Sequence, residues 1–401
     1  MADRIIHMFG FEEQWDLTEW AANGITSSFN GNDSDFSAWV NTSRAPGFVG
    51  GVRSYRAYSQ NSLQTSGHFD LAIWTEDNNA GACASGRVGV TTLIDHIGGN
   101  NNSAYILKLE PRGVSIGTAN PVYTTWPIAG IYCAAAGATW VATLYVAGTA
   151  ATVIPITMVR EEAMRFGIEW FWMDDRYVAR ALFNGVAVTA WYEYINSSIS
   201  PPSQSISIFC AGLDSQYGST GITGQSQTTC FDDLVHISDT ITAIDIATQA
   251  VTRDEVEPPN VCEDIYVRAL DVASISANAG TWTGSATDIN IANSADTATK
   301  VETTDAVTAK PLRMDVAFDA LSGTAPDAIL GMTVRCNASK DTFITDLQMS
   351  EDNFVSTITD ATTTLGLTAS PVEISTTVKA AGGALDVTAI DAMELGFRVT
   401  A

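Results

Sequence analysis

The chain has 401 residues, 46% of them hydrophobic and 16% charged, with a formal net charge of −25. That length suits two or three domains with separate cores, and the apolar share excludes a disordered chain. Charge excludes more. With 20 Lys+Arg against 45 Asp+Glu, and Lys108 the sole lysine before Lys300, there is no basic face for nucleic acid. Such acidity fits a soluble acidic protein, or one displayed in many copies that repel and stay dispersed.

In chain order, Met1-Ala-Asp-Arg-Ile-Ile-His leads with charge after a very short apolar stretch, so no secretory signal is expected and synthesis is expected in a cytoplasm. Period-two alternation then predicts strands at 4–12, 54–60, 69–76, 104–110, 138–147, 164–173, 177–183, 186–194, 205–211 and 231–237. Asn30-Gly31, Gly98-Gly99-Asn100 and Asn184-Gly185 mark turns. The last pair tolerates positive φ and is flanked by two strand-like runs, the pattern of a tight hairpin. No Asp, Glu, Lys or Arg lies between Arg112 and Arg160, a length that would suit a membrane span. Pro127 and Pro155, with Gly130, Gly137 and Gly148 between them, and many threonines interrupt it, so strands are expected there and no membrane span.

Nine of ten tryptophans fall before residue 240, and after residue 275 the composition shifts to Ala, Thr, Asp and Ser. The stretch 238–261, with Thr252-Arg-Asp-Glu-Val-Glu-Pro-Pro-Asn, reads as an exposed connector, with a short helix expected over 239–249. Further strands are predicted at 299–304, 312–319, 328–336, 342–349, 372–378 and 394–399, enough for a β-sandwich. The expected domains are 1–240, a connector and linking strand over 241–274, and 275–401.

Six cysteines (Cys83, Cys133, Cys210, Cys230, Cys262, Cys336) form no CxxC pair, so thiolate zinc is not expected. Cys210 and Cys230 would meet across a hairpin if oxidised, but buried free thiols are expected. The four histidines are widely separated in sequence, and no nucleophile elbow, P-loop or dinucleotide fingerprint occurs.

The opening His7-Met-Phe-Gly-Phe-Glu-Glu-Gln-Trp, the run from Arg165-Phe-Gly-Ile-Glu-Trp-Phe-Trp-Met-Asp to Arg180-Ala-Leu-Phe-Asn-Gly-Val-Ala-Val, and Cys230-Phe-Asp-Asp-Leu-Val-His-Ile occur in this order. Together they resemble the concanavalin A-like (laminin G-like) jelly rolls of structural proteins of tailed bacteriophages. Ile265-Tyr-Val-Arg-Ala-Leu, Gly280-Thr-Trp-Thr-Gly-Ser, the run 329–336 and the ending Ala389-Ile-Asp-Ala-Met-Glu-Leu-Gly-Phe-Arg-Val are similar to a module that follows them in phage virion proteins. The resemblance implies an all-β chain, a concanavalin A-like jelly-roll sandwich followed by a smaller C-terminal β-sandwich. It implies a virion component, such as a head decoration, fibre or tail-associated protein. Such a component would attach to other virion proteins of a capsid or tail lattice, act as a homo-oligomer (a trimer is expected) and carry no enzymatic activity. The alternative is a carbohydrate-binding module that adheres to a surface glycan; a divergent glycan hydrolase ranks below both.

Glucanases sharing the jelly roll resemble one another in a Glu-x-Asp-x-x-Glu strand, and retaining hydrolysis needs carboxyls about 5 Å apart. The nearest match, Glu169-Trp-Phe-Trp-Met-Asp174-Asp175, fails. Glu169 and Asp174 have opposite parity, and Asp175 lies about 20 Å further along a strand. No catalytic residue and no resident cofactor are therefore expected. For Ca²⁺ the candidate oxygen donors are Asn32, Asp33 and Asp35 on one turn and Asp232 and Asp233 on another segment. The competing reading is a turn that favours Asn and Asp, with Asp232 capping a loop and Asp233 facing solvent. Trp170 and Trp172 share parity and, with Phe166, Tyr192 and Tyr194, are expected in an aromatic core more than on a sugar-stacking platform.

Overall fold

A computed structural model describes residues 6–9, 25–28, 55–59, 68–74, 85–97, 103–112, 129–136, 139–147, 149–158, 162–173, 176–195, 205–211, 227–258, 260, 272–279, 281–285, 312–318, 332–338, 346–350, 362–365, 372–378 and 394–400. The chain divides into two compact units, one over Gly24–Arg268 together with the first residues and one over Ala269–Ala401. Among the described residues there is no helix, so none is long and apolar enough to cross a membrane.

The first unit holds β1 (Ile6–Phe9), β2 (Ile25–Ser28), β3 (Tyr55–Ser59), β4 (His68–Trp74), β5 (Ser85–Ile97), β6 (Ser103–Arg112), β7 (Ala129–Ala136), β8 (Thr139–Val146) and β9 (Thr149–Ile154). It continues with β10 (Ala163–Met173), β11 (Arg176–Phe183), β12 (Val186–Ala187), β13 (Tyr192–Ile195), β14 (Ser205–Ala211), β15 (Gln227–Ser238), β16 (Ile241–Asp245) and β17 (Ala250–Arg253). Sheet A runs β1-β15-β5-β10-β11-β12, with β13 on β11 and β3 on β15; sheet B runs β2-β4-β14-β6-β7-β8-β9. All pairings are antiparallel. The chain passes from B to A to B through β4, β5 and β6, and again from A to B to A through β13, β14 and β15. This repeated crossing between two antiparallel sheets makes the unit a jelly-roll sandwich.

The core follows from side-chain parity. On β10, Phe166, Ile168, Trp170 and Trp172 share one face; their register partners are Val90, Val88 and Gly86 on β5 and Phe183, Ala181, Ala179 and Tyr177 on β11. On sheet B the buried parity is Ala129, Ile131 and Cys133 on β7 with Ala142, Leu144 and Val146 on β8. These two apolar faces bury one another, which at roughly 25 cal/mol per Å² is the main stabilising term. Trp170 and Trp172 are buried core residues, as expected. The indole of Trp170 lies over Gly86, where an added Cβ would stand 2.6 Å from the ring, and it stacks on His236.

Three features depart from the sequence expectations. Strand β5 was not predicted, because Gly86 and Gly89 dilute its apolar pattern. The expected hairpin at Asn184-Gly185 forms, with φ of 45° and 81°, but the single strand expected over 186–194 is two short ones on either side of buried Trp191. In the expected connector, the helix over 239–249 is replaced by strand β16 and a turn that leads into β17. This hairpin is not an exposed tether: Ile241 packs with Phe171, Val178 and Trp191, and Ile244, Ile246 and Val251 lie against them.

The second unit contains β18 (Val272–Ala279), β19 (Leu312–Phe318), β20 (Met332–Ala338), β21 (Asp346–Ser350), β22 (Thr362–Leu365), β23 (Val372–Val378) and β24 (Glu394–Thr400). They form a five-stranded antiparallel sheet, β18-β19-β24-β21-β22, and a separate pair, β20-β23. The strand expected over 299–304 lies outside the described residues.

Candidate functional site

The outer face of sheet A carries charge under cover. Odd positions of β10 place Arg165, Gly167, Glu169 and Phe171 on the side away from the core. Glu169 is fully buried and stands opposite Arg87 of β5 and Arg180 of β11, ion-paired to both guanidinium groups. Arg87 also donates to the Pro258 carbonyl at 2.8 Å and pairs with Glu257, while Arg253 pairs with Asp239 at 2.9 Å. Burial works against the charge of Arg87, but Glu169, Glu257 and Asp239 outweigh it and hold the guanidinium more firmly protonated than usual. The Arg180 guanidinium lies 4.6 Å over the Trp191 ring. The segment after β17 thus lies on sheet A, and the Asn260 amide donates to the Gly185 carbonyl at the β11–β12 turn.

The Glu169 carboxylate is held between two guanidinium groups at the centre of the sheet, and Arg87 is shared with Glu257. Asp174 and Asp175 lie outside the described residues, as do the calcium candidates Asn32, Asp33 and Asp35. The other two candidates are described and correct the expectation of a solvent-facing turn. Asp232 and Asp233 are both buried within β15, where the pairing with β5 is irregular between Asp232 and Val235. Asp233 adopts φ of 49°, its N–H donates to the Asp232 carboxylate, and its carbonyl accepts from Arg165 at 2.9 Å. An extra residue in a ladder needs this geometry, and the short Asp side chain tolerates it. Among the described residues no three His, Cys, Asp or Glu side chains group as metal ligands.

Cys133 is a buried free thiol, and burial pushes its pKa up. Cys210 and Cys230 do not face each other across a hairpin: β14 belongs to sheet B, where Cys210 pairs with Phe69, and β15 to sheet A, where Cys230 pairs with Arg56 and Leu93.

The outer face of sheet B is different in kind. One register row crosses all seven strands: Thr26, Asp70, Phe209, Lys108, Gly130, Tyr145 and Ala150. The next row places Tyr132 beside Thr143 and Val153. Lys108 is only 4% exposed, so the face is covered at β6. Toward β8 and β9 it opens: Tyr132 and Tyr145 are half-buried and meet edge to face at 5.5 Å between ring centroids. Gly130, between Lys108 and Tyr145 in this row, is itself buried. Sequence reasoning did not single out this tyrosine pair. Its signal was present in the uncharged stretch, where Tyr132 and Tyr145 alternate with buried apolar residues.

No protein-family model matches the chain, and no curated protein matches it. Solved structures similar to it include a peanut lectin bound to a nine-residue peptide, at 10% identity and TM-score 0.35, covering 60% of this chain and 100% of that one. A basic winged bean lectin with Tn-antigen is similar at 11% identity and TM-score 0.34, over 59% and 99%. A carbohydrate esterase from the Shiga toxin-encoding bacteriophage phi24B is similar at 11% identity and TM-score 0.32, over 54% and 90%. At these values the similarities assign no activity and no ligand to this chain.

Proposed function

We propose that this chain is a non-catalytic adhesion protein whose jelly roll holds a carbohydrate on the outer face of sheet B. The observation that carries the reading is the Tyr132–Tyr145 pair, half-buried on the outer face of sheet B beside Thr143, within the uncharged stretch 113–159. A sugar ring presents C–H groups that stack on an aromatic face, while hydroxyl groups at its rim fix its orientation. The consumption of Glu169 by Arg87 and Arg180 supports binding over hydrolysis. The test is a glycan array probed with the full chain. Binding to at least one glycan, lost in Tyr145→Ala and kept in Glu169→Gln, supports the reading. Hydrolysis of the bound glycan, or no binding to any, refutes it.

A second reading concerns location. The ordered resemblance of both halves to phage virion proteins supports a place on a tailed phage particle, attached to a capsid or tail lattice. Mass spectrometry of purified particles tests it: if the protein is absent from them, the reading fails.

A further inference from the structure

We propose that the second unit binds an oxyanion (a carboxylate, sulfate or phosphate group) at the row of its five-stranded sheet where Arg313 stands directly opposite Arg398. The row crosses all five strands: Ala279 on β18, Arg313 on β19, Arg398 on β24, Gln348 on β21 and Thr364 on β22. Alternation along the strands gives this row to the polar face of the sheet. The opposite parity holds Leu312, Met314 and Val316 on β19, Leu395, Phe397 and Val399 on β24, and Leu347 and Met349 on β21.

Three arginines follow residue 275, namely Arg313, Arg335 and Arg398, and the register makes a pair of the first and last. Like charges directly opposite each other destabilise a ladder. In the first unit this conflict is resolved inside the row, where Glu169 stands between Arg87 and Arg180 and is ion-paired to both. The row of Arg313 and Arg398 contains no Asp or Glu. Its other polar members, Gln348 and Thr364, are residue types that donate from an amide and a hydroxyl. The acidic residues of the same face, Asp315, Asp346 and Glu394, stand in other rows, opposite Gly396, Thr400 and Ala317. A diagonal neighbour lies about 7–8 Å away, against about 4.5–5.5 Å for a directly opposite one. An external oxyanion therefore takes the place in this row that Glu169 takes in the other. Guanidinium forks match a carboxylate and a phosphate or sulfate edge alike, which sets the ligand class. Nucleic acid does not qualify, because two arginines in a chain of net charge −25 make no basic face.

Equilibrium dialysis of the full chain against radiolabelled sulfate, phosphate and glucuronate, in chloride at constant ionic strength, tests this. The expected result is saturable binding of at least one of them. Sulfate and phosphate without glucuronate identify a tetrahedral ligand, and glucuronate alone identifies a carboxylate ligand. Arg313→Gln and Arg398→Gln should each weaken binding about tenfold or more, the effect of losing a charged hydrogen-bond donor. Arg335→Gln, on the separate β20–β23 pair, should leave it unchanged. In oxyanion-free buffer, Arg398→Gln should protect the amides of residues 394–400 from hydrogen exchange at least as well as the native chain does, because it relieves the like-charge pair. Failure to bind any of the three anions overturns the proposal. So does binding that survives both row substitutions or that Arg335→Gln also removes. Loss of protection in Arg398→Gln overturns it too, since Asp315 and Asp346 would then be the partners that hold the arginine. These outcomes are independent of the carbohydrate reading, which is tested at Tyr145 in the first unit.

Discussion

Glu169 on β10 stands directly opposite Arg87 on β5, and the two form a buried ion pair at the centre of sheet A. Arg180, opposite Glu169 on the other side, completes the neutralisation. Removing the carboxylate leaves buried Arg87 with the exposed Glu257 as its remaining ion-pair partner; breaking a buried pair typically costs about 3–5 kcal/mol, an upper bound here. Glu169→Gln should therefore lower the urea midpoint of the first unit while leaving carbohydrate binding unchanged in the folded protein. Loss of binding with unaltered stability would return Glu169 to the functional site.

Gly86 is set by the indole above it. A methyl group at 2.6 Å from the Trp170 ring forces movement in a packed core, a cost of about 1–3 kcal/mol. Gly86→Ala should be destabilised by that amount in chemical denaturation and should shift the tryptophan fluorescence of the native state. This is also why β5 escaped the sequence reading: the glycine that dilutes its pattern makes room for a core residue of another strand.

The hairpin β16–β17 packs into a buried apolar cluster on the outer face of sheet A, so Ile241 should behave as a buried packing residue. Ile241→Ala should cost about 2–5 kcal/mol, read from the same unfolding transition. A value near zero would restore residues 241–253 to the role of an exposed connector.

Glu257 sets an acid limit on the contact between the β17 exit segment and sheet A. Partial burial acts to raise its pKa, but the hydrogen bond and charge of Arg87, with Arg253 and Arg180, outweigh this and hold it below the ordinary 4.5. A depressed carboxylate stabilises the fold above the unfolded value and loses that contribution as pH falls through the folded one. The side chain is 56% exposed, so screening keeps the effect to about 1 kcal/mol or less. The stability difference between the native chain and Glu257→Gln should be full at neutral pH and vanish at pH well below 4.5, as followed by thermal melts across pH.

Local pattern made much of the fold legible. Strands β10, β11, β14 and β15 were visible from period two, and the β11–β12 hairpin from Asn184-Gly185, because these signals lie within a few residues. Long-range pairing was not visible. Glu169 reads as an acid in a strand until Arg87, distant in sequence, is placed beside it by the β5–β10 register. Asp232 and Asp233 read as a turn because a buried bulge has the same local composition as an exposed loop. The Tyr132–Tyr145 pair was hidden for a similar reason: alternation marks two faces, but only the topology of sheet B tells which of them is left open.

Affinity electrophoresis through a gel containing the polysaccharide found on the array, followed by chromatography of that polysaccharide after prolonged incubation, tests the central claim most directly. The expected result is retardation of the native chain, loss of retardation in Tyr145→Ala, and a polysaccharide recovered at its original length. Shortened products, or equal retardation of native chain and Tyr145→Ala, would contradict a non-catalytic carbohydrate site on the outer face of sheet B.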